Sequence, residues 1–472
     1  MRIRPLALAA ALLPALAGAG VRPRPGGAVR IGVPTAPQLA SDARDAADLL
    51  VARATSAPLL EVDRRGVLVP GALVEVPLPE AGGRAFRLRV RVGLEDASGR
   101  AIGAADVAAR LSALLAGGAR SPNAWIALPI LGADALAEER APILAGVQVL
   151  SPTELLVTLA FPLPELPFLL ATPAAALPGA GPFVAGARRA ACDPLVLRAN
   201  EHDPRGRPFA DTLEIRAVDP RGAARQLEAR TLDLVLRPEA AGGRAGPPLP
   251  ALTTTVAVVN AARLGAGAEA VRRALAALDR GELARRFVRG PAEPLRTLVP
   301  PAILPGAPPP AAAPAGDPAS APVRVTLLAD ASAADQRALA ERIQVKLFDR
   351  GLRVGVELVE RARFAERLAA GGYDVALLSV AVAGLRPALA AGQIAFAARG
   401  PHAARRAMAA LAGLSDEAAL AAADRIARDL DLVPLVASGL RVSLGPALQG
   451  LEPGADGGFD PGALWLLGGG SP

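Results

Sequence analysis

The chain has 472 residues, of which 52% are apolar, enough to bury sizeable cores. At about 150 residues per domain, that length is roughly three domains' worth. The apolar content excludes long disorder, the single Cys192 excludes a disulfide scaffold, and no internal apolar run reaches the ~20 residues of a spanning helix. Lys and Arg exceed Asp and Glu by 52 to 45, for a formal charge of +7, but Lys346 is the sole lysine and the arginines are scattered among acids. With aromatics at 3%, no clustered basic face with stacking rings is visible, so nucleic acid is excluded as a partner.

The N-terminus reads as an address. Arg2 and Arg4 precede a short apolar stretch, Leu6 to Leu16, and small-x-small cleavage sites fall at Ala15-Leu16-Ala17 and Ala17-Gly18-Ala19. This is the pattern of a secretory signal peptide over residues 1–19, and its removal takes the charge from +7 to +5. The exported chain is expected to be soluble and periplasmic or extracytoplasmic.

Val29 to Val33 predicts a strand, and Ser41 to Ala54 a helix with Ser41 as its N-cap. Pro58 to Gly66 reads as strand and turn, and Ala85 to Val92 alternates as a half-buried strand does. A helix over Gly103 to Leu115 is followed by a hairpin, Gly146 to Leu150 with Leu155 to Leu159. Strands are expected at Thr212 to Val218 and Leu232 to Leu236, around a short helix at Ala223 to Ala229. Ala240 to Pro250 reads as a boundary. A strand (Thr255 to Asn260) and a helix (Glu269 to Leu278) come next, and Pro305 to Pro322 is a Pro/Ala-rich loop. Val323 to Leu328, Ser332 to Arg350, Arg353 to Val359, Ala362 to Ala370 and Tyr373 to Val380 form a βαβαβ run, which predicts a parallel sheet. A helix at Glu417 to Leu430 precedes strands at Leu432 to Val436 and Leu440 to Leu444.

Catalytic constellations are thin. His202 and His402 lack the partners of a zinc site, and there is no nucleophile elbow. Gly265-Ala266-Gly267-Ala268-Glu269-Ala270 fits a dinucleotide fingerprint, yet the stretch Asn260 to Leu264 intervenes where the true motif turns at once, and no acidic strand end follows. A glycine turn capping a helix is the better reading, so no cofactor, no metal and no enzyme activity are expected.

The order of segments resembles the extracellular solute-binding proteins of ABC importers, family 5, the peptide- and nickel-binding group. Ser56 to Asp63 with Leu68-Val69-Pro70-Gly71 is similar to the family's opening motif. Phe86 to Arg91 with Gly103 to Val107, Gly179 to Phe183, Asn200 with Arg205 to Asp211, Ala270 to Leu275 with Asp279-Arg280, and Gly371 to Leu377 follow in the family's order. The resemblance implies an α/β, two-lobed periplasmic-binding-protein fold of type II, enlarged with an extra subdomain and closing about a hinge. It implies lobe 1 with the subdomain over 28–250, lobe 2 over 251–431 including the loop 305–322, and a return to lobe 1 over 432–472.

What it implies for function is capture of a small or peptide-like solute by a monomer that docks on ABC permease subunits. The stretch Leu378 to Leu385 lacks the Asp and Trp with which peptide binders of this family hold the ligand's ammonium group. A member that has lost transport and serves as an interaction or sensory module is the alternative. Candidate ligand residues, carried by position, are Trp125, Asn260, Ser379 and Arg386. Trp125 reads equally as a core aromatic and Asn260 as a strand-end turn former. Ser379 and Arg386 rest on position alone, and a surface role is the safer reading for both.

Overall fold

The computed structural model describes residues 23–37, 45–118, 121–186, 194–305, 323–333 and 335–468. The signal sequence, the Ser41 cap, Cys192 and nearly all of the Pro/Ala-rich loop lie outside the described residues.

Three sheets organise the chain. The first, in lobe 1, has seven strands in the order Phe183–Ala185, Leu195–Ala199, Thr212–Ala217, Ala28–Val33, Leu234–Arg237, Arg441–Leu444 and Arg244–Ala245. Its centre is parallel: Ala28–Val33 pairs with both Thr212–Ala217 and Leu234–Arg237. The second, in lobe 2, has six strands in the order Ala292–Pro294, Leu432–Ser438, Thr253–Val259, Val375–Ala381, Val323–Asp330 and Leu352–Val359. The third is a four-stranded antiparallel sheet of Pro79–Glu80, Ala85–Arg89, Glu154–Thr158 and Val147–Ser151, which forms the extra subdomain inserted into lobe 1.

The predicted βαβαβ run is present. Val323–Asp330 pairs in parallel with Leu352–Val359 and with Val375–Ala381. The helix Gln336–Phe348 carries the chain outward to the edge strand, and Arg361–Ala369 carries it back over the central one. Right-handed crossovers in opposite directions place these helices on opposite faces. Accordingly Leu339, Ile343 and Leu347 pack with Val375 and Leu377, whereas Phe364 packs with Ala376, Leu378 and Val380.

The helix expected from Ser41 begins at Ala46. Asp45 is its cap, accepting from the Ala47 and Asp48 N–H groups at 3.0 and 3.1 Å. The expected return at 432 is corrected. Leu432–Ser438 pairs with Thr253–Val259 and belongs to lobe 2. The chain crosses back at Gly439–Leu440, because the apolar run Leu432 to Ala437 is buried in the second sheet and only Arg441–Leu444 reaches the first. The outward crossing lies between Ala245 and Thr253.

Two helices without a predicted counterpart, Pro387–Arg399 and Pro401–Leu411, fill the space between lobe 2 and the subdomain. Both are alanine-rich and the first is buried on nearly every side, so it carries no polar stripe to reveal a period. Gly400, at φ +82°, and Pro401 break the run in two. One continuous apolar core joins Leu88, Leu111, Trp125 and Leu155 of the subdomain to Val258, Phe396, Ala404 and Met408 of lobe 2. Arg405 reinforces that junction, donating from Nε to the Leu128 carbonyl at 2.8 Å and pairing with Asp134.

A candidate ligand cleft between the lobes

Both lobes turn the carboxyl ends of their parallel strands toward each other. Val33 and Arg237 end strands on the lobe 1 side; Asp330 and Ala381 end strands on the lobe 2 side. Helix N-termini and free loop backbone gather at such ends, which is where open α/β sheets bind ligands. A hollow of about 1510 Å³ lies between them, lined from lobe 1 by Thr35, Asp45 and Glu239 and from lobe 2 by Asp330, Asp335 and Ser379.

The lobe 2 wall is a hydrogen-bonded ledge. Ser379 Oγ lies 2.8 Å from Thr255 Oγ1 and accepts from Gln336 Nε2 at 3.1 Å. Gln336 Oε1 accepts from the Asp330 N–H at 2.7 Å. Asp330 Oδ1 accepts from the Ser332 N–H and hydroxyl at 2.9 and 2.6 Å, and Oδ2 accepts from Arg361 Nε at 3.3 Å. Two arginines of lobe 2 then reach across. Arg361 Nη1 lies 3.9 Å from Asp45 Oδ2, and Arg289 Nη1 donates to Glu239 Oε1 at 3.1 Å. The side chain of Asp45 is itself fixed by Thr35 Oγ1 at 2.7 Å.

Three polar atoms of cleft residues have no hydrogen-bond partner: Asp335 Oδ1 on the lobe 2 side, Arg237 Nε on the lobe 1 side, and Asn123 Nδ2 on a subdomain loop. Burial pushes the Asp335 carboxyl above the usual range, and the Arg289 N–H and guanidinium (Nε 3.8 Å away) offset only part of that. An acid with a raised folded pKa destabilises the fold while ionised, and the penalty is relieved as pH falls through the raised value. Asp335→Asn is therefore expected to raise the melting temperature at pH 7 by about 1–3 °C, as a change of some tenths to one kcal/mol does in a protein of this size. Calorimetry at pH 7 and pH 4 checks this: the gain should shrink at the lower pH, and an equal gain at both would refute the charge argument.

The four residues expected at the ligand are placed apart. Trp125 is 1% exposed in a short 3-10 turn, Ala124–Ile126, within the subdomain–lobe 2 core, and does not line the cleft. Asn260 lies past Val259, at the end of the lobe 2 strands opposite Ala381. Its Oδ1 accepts from the Arg263 N–H at 3.3 Å and its Nδ2 donates to the Gly371 carbonyl at 2.9 Å, as a turn former does. Ser379 faces the polar ledge of the cleft, while Asn260 lines the far end of the same hollow. Arg386 is exposed and stacks over Phe168 of the subdomain, 3.9 Å from the ring centroid. The Gly265 turn is a helical junction away from the cleft, with Gly267 packed on Val323. Among the described residues no group of His, Cys, Asp or Glu could hold a metal ion.

The motifs that carry the resemblance serve the frame. Gly181 passes so close to Ser56 that a Cβ would stand 2.4 Å from its backbone nitrogen, and the Gly181 carbonyl accepts from buried Asn200 at 2.8 Å. Arg205 lies among Asp203, Glu61 and Asp460. Asp374 accepts from the Thr326 N–H at 2.9 Å and from Arg263 at 3.0 Å. The cleft residues missed from sequence, Asp45, Glu239, Arg289, Asp330, Asp335 and Arg361, lie in loops, at helix starts or, for Asp330, at a strand end, where no periodicity marks them.

The sequence profile of bacterial extracellular solute-binding proteins, family 5 (middle), matches residues 68–393. The chain belongs to this family. Its fold is similar to that of the Escherichia coli murein tripeptide binding protein MppA, at 18% identity and a TM-score of 0.74, over 93% of this chain and 98% of that one. Haemophilus influenzae OppA, solved with the peptide RPPGFSPFR, gives 15% identity and a TM-score of 0.72, with 93% and 98% covered. NikA from Brucella suis, solved with Fe(III)-EDTA, gives 18% and 0.71, with 93% and 100% covered. These neighbours are two-lobed binding proteins, and the two-lobed α/β architecture expected from the sequence holds here. No curated protein sequence matches the chain. No helix among the described residues is long and apolar enough to cross a membrane.

Proposed function

We propose that the protein is exported by its N-terminal signal sequence, captures a small or peptide-like solute as a monomer, and delivers it to the permease of an ABC importer. The observation that carries the reading is the hollow itself. Its volume of about 1510 Å³ exceeds the ~300–1,000 Å³ of usual small-molecule pockets, which suits a solute of several residues. Its walls come from different lobes, so a bound solute bridges them and favours the closed form by its differential affinity. Ledge groups already joined to one another keep the site ordered before the solute arrives, which lowers the entropy lost on binding.

A thermal-shift screen against di- to pentapeptides, sugars, amines and metal chelates tests this. A true ligand at about 100 times its Kd adds about 2.7 kcal/mol, a shift of several degrees. The absence of a shift from every solute, together with stable capture of a protein partner, would instead mark a member that has left transport for an interaction role.

A further inference from the structure

The hollow does not end at the polar ledge. It turns around the end of the strand Val375–Ala381 and continues along the other face of the lobe 2 sheet. There it runs between the helices Arg361–Ala369 and Pro387–Arg399, as far as Asn260 and Arg399. Ser379 points to the ledge face, while its neighbours Leu378 and Val380 point into this continuation, because successive strand residues face opposite ways. Phe364, Tyr373 and Phe396 complete its walls. Three of the thirteen aromatic side chains in the whole sequence are thus gathered in one chamber.

Apart from the exposed Glu366, the polar groups along the chamber are already engaged within the protein. Gln393 spans the Ala383 N–H and the Ala381 carbonyl at 2.8 and 2.9 Å. Arg399 donates to the Leu430 and Val259 carbonyls at 2.9 and 2.6 Å and to Tyr373 Oη at 3.1 Å. Asn260 is held by Gly371 and Arg263. An occupant therefore meets mainly carbon and saturated groups in the chamber, whereas in the polar part Asn123 Nδ2, Arg237 Nε and Asp335 Oδ1 have no hydrogen bond, Asp335 having only the Arg289 guanidinium 3.8 Å away. Phe364, Leu378, Val380 and Phe396 are each under 9% exposed, so these walls are recessed and admit a slender group rather than a protein surface, while Ala365, Glu366 and Ala369 on the same helix are exposed.

Resting on the capture reading above, we infer that the chamber is an apolar subsite and that the captured solute is amphipathic. One hydrogen-bonding part lies against the ledge, and one bulky acyl or aryl group lies among Phe364, Leu378 and Phe396. Burial of such a group is favourable in proportion to its apolar area, and a preformed chamber adds no cost of opening.

The test uses the whole mature chain and a neutral apolar fluorophore, N-phenyl-1-naphthylamine, together with the tripeptides Ala-Ala-Ala and Ala-Phe-Ala. Wild type is expected to give saturable one-to-one fluorescence enhancement, displaced by Ala-Phe-Ala at least tenfold more readily than by Ala-Ala-Ala. Ala397→Phe, on the wall of the chamber, should abolish the enhancement. Leu368→Glu, at a half-buried position on the other helix, should do the same and guards against a folding defect, with melting curves recorded for both variants. No saturable enhancement in wild type, enhancement unchanged in both folded variants, or equal displacement by the two peptides would overturn the subsite. These failures differ from failure of the capture reading, in which the fluorophore binds the chamber but no solute of the broader screen shifts the melting temperature.

Discussion

Trp125→Ala is expected to cost about 3–5 kcal/mol of stability, the usual range for truncating a fully buried large aromatic. The ring is 1% exposed and belongs to the apolar core shared by the subdomain and lobe 2, so its loss leaves a cavity at their junction. Its Nε1 has no hydrogen-bond partner, which already costs the fold part of that site's stability. Trp125→Phe removes the orphan N–H while keeping most of the ring, and should stay within about 1.5 kcal/mol of wild type. The pair separates two roles by calorimetry and by solute binding. A core residue loses melting temperature on truncation to alanine and recovers it with phenylalanine. A ligand contact would lose affinity in both variants with little change in melting temperature, and that outcome would overturn the placement.

Trp125 also shows why parts of this protein were legible in the sequence and others were not. The frame is written in local signals. Alternating Phe86 to Arg89, the capping geometry of Asp106, which accepts from the Gly103 N–H at 2.8 Å, and the βαβαβ run from Val323 all depend on neighbours a few positions away. The family motifs are legible for the same reason: Gly181 and Asp374 are held by sterics or hydrogen bonds that admit few alternatives. The cleft is different. Asp45 faces Arg361 and Glu239 faces Arg289 across gaps in sequence that no spacing rule connects. A solvated arginine on a helix and an arginine that closes a cleft read identically until the lobes are in place. The alanine-rich pair of helices, Pro387–Arg399 and Pro401–Leu411, fails for a further reason. Burial on most sides removes the contrast between faces on which a helical period is read. Low aromatic content likewise said little about the cleft, because what decides is where Phe364, Tyr373 and Phe396 are gathered rather than how many aromatics there are.

The two reaching arginines give the second large expected effect, on the balance between open and closed forms. Arg289→Gln with Arg361→Gln is expected to shift that balance toward open by about 5–30-fold, which corresponds to about 1–2 kcal/mol. Each pair is part-exposed, with arginine side chains 56% and 41% accessible, so each alone is worth no more than about 1 kcal/mol. Their sum still matters, because the crossings at Ala245 to Thr253 and at Gly439–Leu440 are short chain segments that oppose opening far less than the packed cores do. The acids left behind sharpen the effect. Without Arg361, Asp45 and Asp330 lose the cation they share; without Arg289, Asp335 loses its cation and Glu239 keeps only Arg237, 3.9 Å away. Small-angle scattering should report a larger radius of gyration for the double variant. For wild type, raising salt toward 1 M, where the Debye length falls to about 3 Å, should move scattering in the same direction. A subdomain welded to lobe 2 through the Trp125 core would resist this motion, and the pairs would then be decorative. In that case the double variant would scatter as wild type does at every salt concentration, and closure would have to be assigned to the apolar junction instead.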